Sequence, residues 1–205
     1  DLATLSDPYI LRAKRGVTVT VNPFQYNPVT RTLRVYRNMT VAVDNVGMGR
    51  TNLLPTNTKH EGGSAFHKIY ASQFVNYNGQ NRSYPISEEG SMLIITADQY
   101  ESNIQPLADH KNSIGLSTTV KLKSEVGSTW AQINDYIAAM YGGSDLVYVL
   151  LVGDASDITA PTAAGGLSDP TYALQAGSDN YPDIIIGRFS ANNATHVDLQ
   201  VQKTI

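Results

Sequence analysis

The chain has 205 residues, 41% of them hydrophobic and 16% charged, which suits one domain of ordinary size or a small module beside a medium one. Its net charge of −3 gives no electrostatic footprint for nucleic acid or an anionic membrane surface. No apolar run approaches the roughly 20 residues that span a bilayer, and the absence of cysteine excludes a thiol nucleophile, a disulfide and a thiolate metal site within these residues.

Residues 1–54 read as β. Val17, Val19 and Val21 alternate with threonines at the period of a half-buried strand, and Thr32–Tyr36 and Met39–Val43 alternate again. PFQYNP between them reads as a turn, with Asn27-Pro28 punctuating hairpins. No helix is expected here; the segment reads as a small all-β fragment. Residues 55–90 are rich in Gly, Asn and Ser and read as a linker, with SAFHKIYASQFV supplying one or two helical turns at most. This is the best domain boundary in the chain.

Residues 91–205 change character. Met92–Thr96 reads as a strand and Asp98–Ser113 as a helix with Asp98 as N-cap and Gly115 as stop. Leu116–Leu122 is a strand, and Ser128 caps a helix from Thr129 to Tyr141 that Gly142-Gly143 ends. Leu146–Val152 is a strand buried on both faces, Asp183–Phe189 another, and Asn193 opens a last helix. Strand–helix alternation of this kind predicts an α/β fold with a parallel sheet flanked by helices.

Chemistry in open α/β sheets collects at the carboxyl ends of strands, so the acids of LVGDASD and GSDNYPD draw notice. In DNYPD, positions 179, 181 and 183 share one side of an extended segment. Asp179 and Asp183 can then converge with the carbonyl of Tyr181, and Asp154 at a neighbouring strand end would close an oxygen cage of the kind Ca²⁺ takes. The competing reading is that these are loop carboxylates capping turns. The EF-hand pattern is missing.

The remaining residues offer little. His60, His67, His110 and His196 read as surface residues, and there is no G-x-S-x-G elbow. Trp130 and the twelve tyrosines suit packing, GGSA and AGGL lack the context of a phosphate cradle, and the Asn38, Asn81 and Asn193 N-x-S/T matches are weak. Arg82-Ser83 lies in the polar stretch where proteolysis concentrates.

A resemblance covers most of the chain. VYVLLVGDASD, then SD-x-x-Y, then GSDNYPDIIIGRFS resembles the first half of the catalytic domain of the gingipain-type cysteine endopeptidases. SMLIITADQY, HKNSIGLSTTVKL and WAQINDYIAAMY resemble that family in order and spacing, and PYILRAKRGVTVTVNPFQYNPVTRTLRVY is similar to the end of its β-rich propeptide. The resemblance implies a caspase-like α/β subdomain over 91–205, preceded by a propeptide fragment over 1–54 and a linker over 55–90 with a processing point at Arg82-Ser83. It implies a structural calcium site at Asp154, Asp179, Tyr181 and Asp183, with Asp183 one methylene shorter than the family's Glu. The nucleophilic cysteine and catalytic histidine belong to a later segment, so no catalytic residue is expected here, and the partners implied are the remainder of the peptidase domain and protein or peptide substrates. A secreted or cell-surface bacterial zymogen is the implied setting. A non-catalytic assembly module, a sortase-like or signal-peptidase relative of a bacterial secretion system, and a receiver- or flavodoxin-like domain stay open beside it.

Overall fold

The computed structural model describes residues 1–47, 49–54, 61–79 and 84–205. The first part holds six short strands: β1 (Ala3–Leu5), β2 (Tyr9–Leu11), β3 (Lys14–Gly16), β4 (Val19–Val21), β5 (Phe24–Asn27) and β6 (Thr32–Val35). They form three two-stranded antiparallel ladders, β1 with β4, β2 with β3 and β5 with β6. The β2–β3 hairpin is therefore nested inside the β1–β4 pair.

Two expectations for this part change. PFQYNP is a strand rather than a turn: the prolines only bracket β5. The turn follows it, where the Asn27 side chain accepts the N–H groups of Val29 and Thr30 and Arg31 adopts φ 52°. Met39–Val43 forms no strand, because its alternation finds no ladder to join; Val41 and Val43 stay exposed. The alternating valines of residues 17–21 are exposed as well, whereas Tyr9, Ile10 and Leu11, with no alternation, are buried together.

The stretch at 55–90 is more than a linker. Gly63–Gln73 is an 11-residue helix, α1, in which Phe66 and Tyr70 lie four residues apart on one face and are fully buried. Glycines and serines around this face masked its period. Phe66 and Tyr70 join Tyr9, Leu11 and Val147 in a second core, with Ile69, Phe74, Tyr181 and Ile185 packed around it.

The α/β half keeps the predicted strand–helix order and adds a short helix and a hairpin to it: β7 (Ser91–Thr96), α2 (Glu101–Ser113), β8 (Thr118–Leu122), the added α3 (Lys123–Val126), α4 (Trp130–Gly143), β9 (Leu146–Val152), the added hairpin β10 (Thr162–Ala163) and β11 (Gly166–Leu167), then β12 (Ile185–Phe189) and α5 (Ala194–Thr204). The four long strands form one parallel sheet in the order β12-β9-β7-β8. Leu93–Thr96 and Val149–Val152 are buried without interruption, as strands covered on both faces require. Helices α2 and α5 pack together, tied by an Asn103–Asp198 hydrogen bond of 2.8 Å, and α4 packs along β9.

The caps shift by a residue or two. Thr129, not Ser128, caps α4, its hydroxyl accepting from the N–H of Gln132 while the Gln132 side chain accepts from the N–H groups of Ser128 and Thr129. Gly142 and Gly143 lie inside α4, and Ser144 follows it. Asp98 does not cap α2; its carboxylate takes the N–H of Ser124 at the start of α3. Asn193 caps α5 as expected.

Candidate functional site

Parallel strands give a sheet two chemically distinct ends, and the register fixes which acid sits at which. Ile185 is paired with Tyr148 and Phe189 with Val152. Asp183 therefore lies level with Leu146 at the amino end of β9, whereas Asp154 follows Val152 at its carboxyl end. Eight residues of strand at 3.3 Å each separate the two positions, roughly 26 Å.

At the amino end the chain builds a buried polar junction. Leu11 pairs with Lys14 across a two-residue turn in which Arg12 adopts φ 50°, a conformation costing an L-residue about 1–2 kcal/mol. That corner turns the Arg12 side chain out of the hairpin and between β9 and β12. Arg12 is 2% exposed, and its Nη1 donates to the carbonyls of Leu146 (2.9 Å) and Asp183 (2.8 Å). The guanidinium lies 5.1 Å from the ring centre of Phe66 and 5.8 Å from that of Tyr141. Burial pulls its pKa below the ordinary value, with Tyr141, Tyr70, Asp145 and Asp183 acting in opposition. An arginine stays charged through such a shift.

The outer edge of β2 completes the junction. The Ile10 N–H donates to Asp179 Oδ2 at 2.8 Å and the Arg12 N–H to Asp183 Oδ1 at 3.0 Å. Asp183 Oδ2 accepts from the N–H groups of Gln175 (2.8 Å) and Ala176 (2.7 Å), and Asp179 Oδ1 from that of Tyr181 (3.0 Å). Asp183 is wholly buried, which raises its pKa to about 6; its three N–H donors pull the other way and the neighbouring Asp179 charge adds to the rise. The Tyr181 ring stacks on Tyr9 with centroids 3.7 Å apart. Nearby, Asn52 links Pro8 to Ser178, and the Glu89 carboxylate accepts the N–H of Ser64 in the first turn of α1 and the hydroxyl of Tyr148.

The carboxyl end is organised separately. Arg188 grips Asp169 with two 2.7 Å hydrogen bonds, and its Nη1 donates to the carbonyls of Gly153 (3.1 Å) and Asp154 (3.2 Å). The Asp154 carboxylate accepts from the N–H of Ala155 and the hydroxyl of Ser190, so it shapes its own loop.

The structure does not bring the four expected calcium ligands together. Asp154 is at the wrong end of the sheet for Asp179, Tyr181 and Asp183; reading both strand ends as one crevice ignored that Asp183 precedes its strand while Asp154 follows its own. Among the described residues no group of three or more His, Cys, Asp or Glu is placed to share a metal. Asp183 spends three of about four acceptor positions on N–H groups, and the Arg12 guanidinium is lodged beside it. This arrangement does not fit a divalent cation. Arg82-Ser83 and His60 lie outside the described residues. Arg12, Phe66, Tyr70, Glu89 and Arg188 went unmarked in the sequence. The one signal available was an arginine set directly after three apolar residues, YIL-R, which is an unusual place for a solvated charge.

Comparison with known proteins assigns these two halves. Residues 1–84 match the model described as Propeptide_C25, and residues 86–205 match Peptidase family C25. The chain is 40% identical over 211 aligned residues to gingipain R2 of Porphyromonas gingivalis, covering all of this chain and 28% of that protein. It is equally similar to gingipain R1 of that organism, covering 21% of its length, and 22% identical to Lys-gingipain, covering 12%. Among solved structures, the Arg-specific cysteine proteinase gingipain R matches with a TM-score of 0.55 and 38% identity, over 60% of this chain and 30% of that one. The complex of the RgpB pro- and mature domains from P. gingivalis matches with a TM-score of 0.54 and 38% identity, over 57% of this chain and 28% of that one. The chain thus spans under a third of the curated relatives it matches, and it belongs to peptidase family C25, the gingipain-like cysteine peptidases, of which it comprises propeptide sequence followed by part of the catalytic domain.

Proposed function

We propose that this chain is the latter part of the pro-segment and the first α/β portion of a secreted or cell-surface endopeptidase, in which the pro-segment is seated at the amino ends of β9 and β12. In the parent enzyme a thiolate would attack a peptide carbonyl with a histidine as acid and base. The residues here would scaffold that site, since they include no cysteine. The observation that carries the reading is Arg12: a charged residue of the pro-segment is buried against two backbone carbonyls of the catalytic part. A pro-segment anchored there supports the sheet and leaves the carboxyl ends, where α/β chemistry collects, to the rest of the domain.

The boundary follows from the same contacts. Helix α1 belongs with the pro-segment, so the crossing from one unit to the next falls between residues 79 and 86, and processing after Arg82 would separate them. That position lies where one family match ends and the other begins. The test is peptide hydrolysis by the parent protein: turnover of peptides that a thiol-alkylating reagent abolishes supports the reading. Hydrolysis resistant to that reagent, or blocked by a serine reagent, contradicts it. The chain by itself should turn over nothing.

A further inference from the structure

We propose that Tyr9 and Tyr181 are a site of oxidative cross-linking, at which a one-electron oxidant of the peroxidase type joins the two halves of the chain through a dityrosine. Tyr9 lies in the part that matches the propeptide and Tyr181 in the part that matches the peptidase. The coupling takes no part in hydrolysis and does not depend on the peptidase reading.

The two phenols are placed for coupling in three respects. Their rings are stacked, 13° from parallel with centroids 3.7 Å apart, so carbons of one ring lie over carbons of the other in van der Waals contact. The rings also point the same way. Burial raises the pKa of Tyr9, and the charge and hydroxyl of Tyr181 add to the rise, which sets the two hydroxyls side by side at one end of the stack. The ring carbons next to those hydroxyls, where a phenoxyl radical carries much of its unpaired electron, are thereby brought together. Finally, the neighbours hold the pair in register. Tyr9 is buried on β2, whose Ile10 N–H donates to the Asp179 carboxylate, and the N–H of Tyr181 donates to that same carboxylate. Phe74, at the end of α1, stacks on Tyr9 with centroids 6.1 Å apart. Tyr181 is the more open of the two, its hydroxyl 3.5 Å from that of exposed Thr18, and gives an oxidant its approach. Tyr70 and Tyr77, by contrast, meet edge-on at 5.5 Å and both belong to the pro-segment, so their coupling would bridge nothing.

Each phenol gives one electron to the oxidant and its hydroxyl proton to solvent, and the two phenoxyl radicals pair their electrons in a carbon–carbon bond. The hydrogen on each joined carbon then leaves as a proton while the ring oxygen takes one up, which restores both aromatic rings. Two electrons and two protons are lost in all; a peroxidase passes the electrons to hydrogen peroxide, which takes up two protons and leaves as two waters. With no cysteine in the chain, no disulfide can form this tether. A chain coupled here keeps its pro-segment after the connection between residues 79 and 86 is cut.

The test oxidises the full chain with photogenerated tris(bipyridyl)ruthenium(III), a one-electron oxidant, in a short pulse. The monomer band of a denaturing gel, which excludes links between chains, is digested to completion with a basic-residue-specific protease. Tyr9 falls in peptide 1–12 and Tyr181 in peptide 124–188. The expected product is the two peptides joined, lighter by two hydrogens and with dityrosine fluorescence. Its yield should exceed that from urea-unfolded chain by about tenfold or more, because the stack makes the encounter intramolecular and oriented. Tyr9→Phe and Tyr181→Phe should each abolish it, and Tyr136→Phe, in the same long peptide, should leave it unchanged. Phenylalanine keeps a ring in the stack, so these variants ask little of the fold. Absence of the joined peptide from oxidised wild type overturns the proposal, as does a joined peptide that survives Tyr181→Phe or forms equally well in urea. None of these outcomes bears on thiol-dependent hydrolysis by the parent, so the peptidase reading is judged separately.

Discussion

Replacing Arg12 by alanine should be among the most damaging single changes in the chain. The substitution strips the Leu146 and Asp183 carbonyls of their shared donor in a fully buried place. Each such orphaned acceptor costs about 1–3 kcal/mol. Two cation–π contacts, at 5.1 and 5.8 Å, vanish as well, worth about 0.5–2 kcal/mol each. Against this, alanine spares the cost of burying a guanidinium, the same cost that lowers the Arg12 pKa, and it relieves little of the positive-φ strain. Removing one partner of a buried charged network typically nets about 3–5 kcal/mol of destabilisation, which in a chain of this size lowers the melting temperature by roughly 10 °C. Arg15 is the control. Its guanidinium donates to the Asn52 and Thr51 carbonyls in an exposed setting, so Arg15→Ala should cost under about 1 kcal/mol. Urea unfolding followed by circular dichroism compares them. Equal midpoints for Arg12→Ala and wild type would refute the claim that this side chain anchors the pro-segment.

Burial pushes the Asp183 carboxyl up to about 6 from its ordinary value of 3.8, so the folded state holds its proton longer than the unfolded chain does. Its contribution is fully present below about pH 4 and is lost as pH rises through 6, a loss of about 3 kcal/mol; unfolding at a series of pH values should show this slope in wild type and not in Asp183→Asn. Phe66→Ala, emptying a fully buried position at the second core, should cost about 3–5 kcal/mol in chemical unfolding, and a loss below 1 would mean that α1 is not packed as described. Thr129→Ala removes the acceptor for the Gln132 N–H and should cost about 1 kcal/mol, whereas Ser128→Ala should leave the midpoint unchanged.

The parallel sheet was legible because its strands announce themselves by composition. Leu146–Val152 is an unbroken apolar run, and only burial on both faces asks for that. Helices α2, α4 and α5 were legible to within about three residues, with Thr129 rather than Ser128 as the cap of α4 because the hydroxyl must reach the N–H of Gln132. The β-rich start was harder. Its valine alternation promised a half-buried sheet, yet the buried strand there is the non-alternating Tyr9–Leu11, since what buries it is a different part of the chain. Helix α1 was hidden because two residues, Phe66 and Tyr70, do most of its packing within a polar stretch. Asp179 and Asp183 do face the same hairpin, each accepting one of its N–H groups. Their expected partner Asp154 does not: a sequence shows that Asp154 and Asp183 both adjoin strands, but only the register shows that they adjoin opposite ends.

The claim that the pro-segment is held to the catalytic part through Arg12 is tested most directly by cutting the connection and asking whether the pieces part. Limited digestion with a basic-residue-specific protease, with fragments identified by mass spectrometry, gives chains nicked between residues 79 and 86. Size-exclusion chromatography then reads the association. The two pieces of the wild-type chain should elute together, and those of Arg12→Ala should separate. Separation of the nicked wild type, or co-elution that Arg12→Ala leaves unchanged, would contradict the anchoring described here.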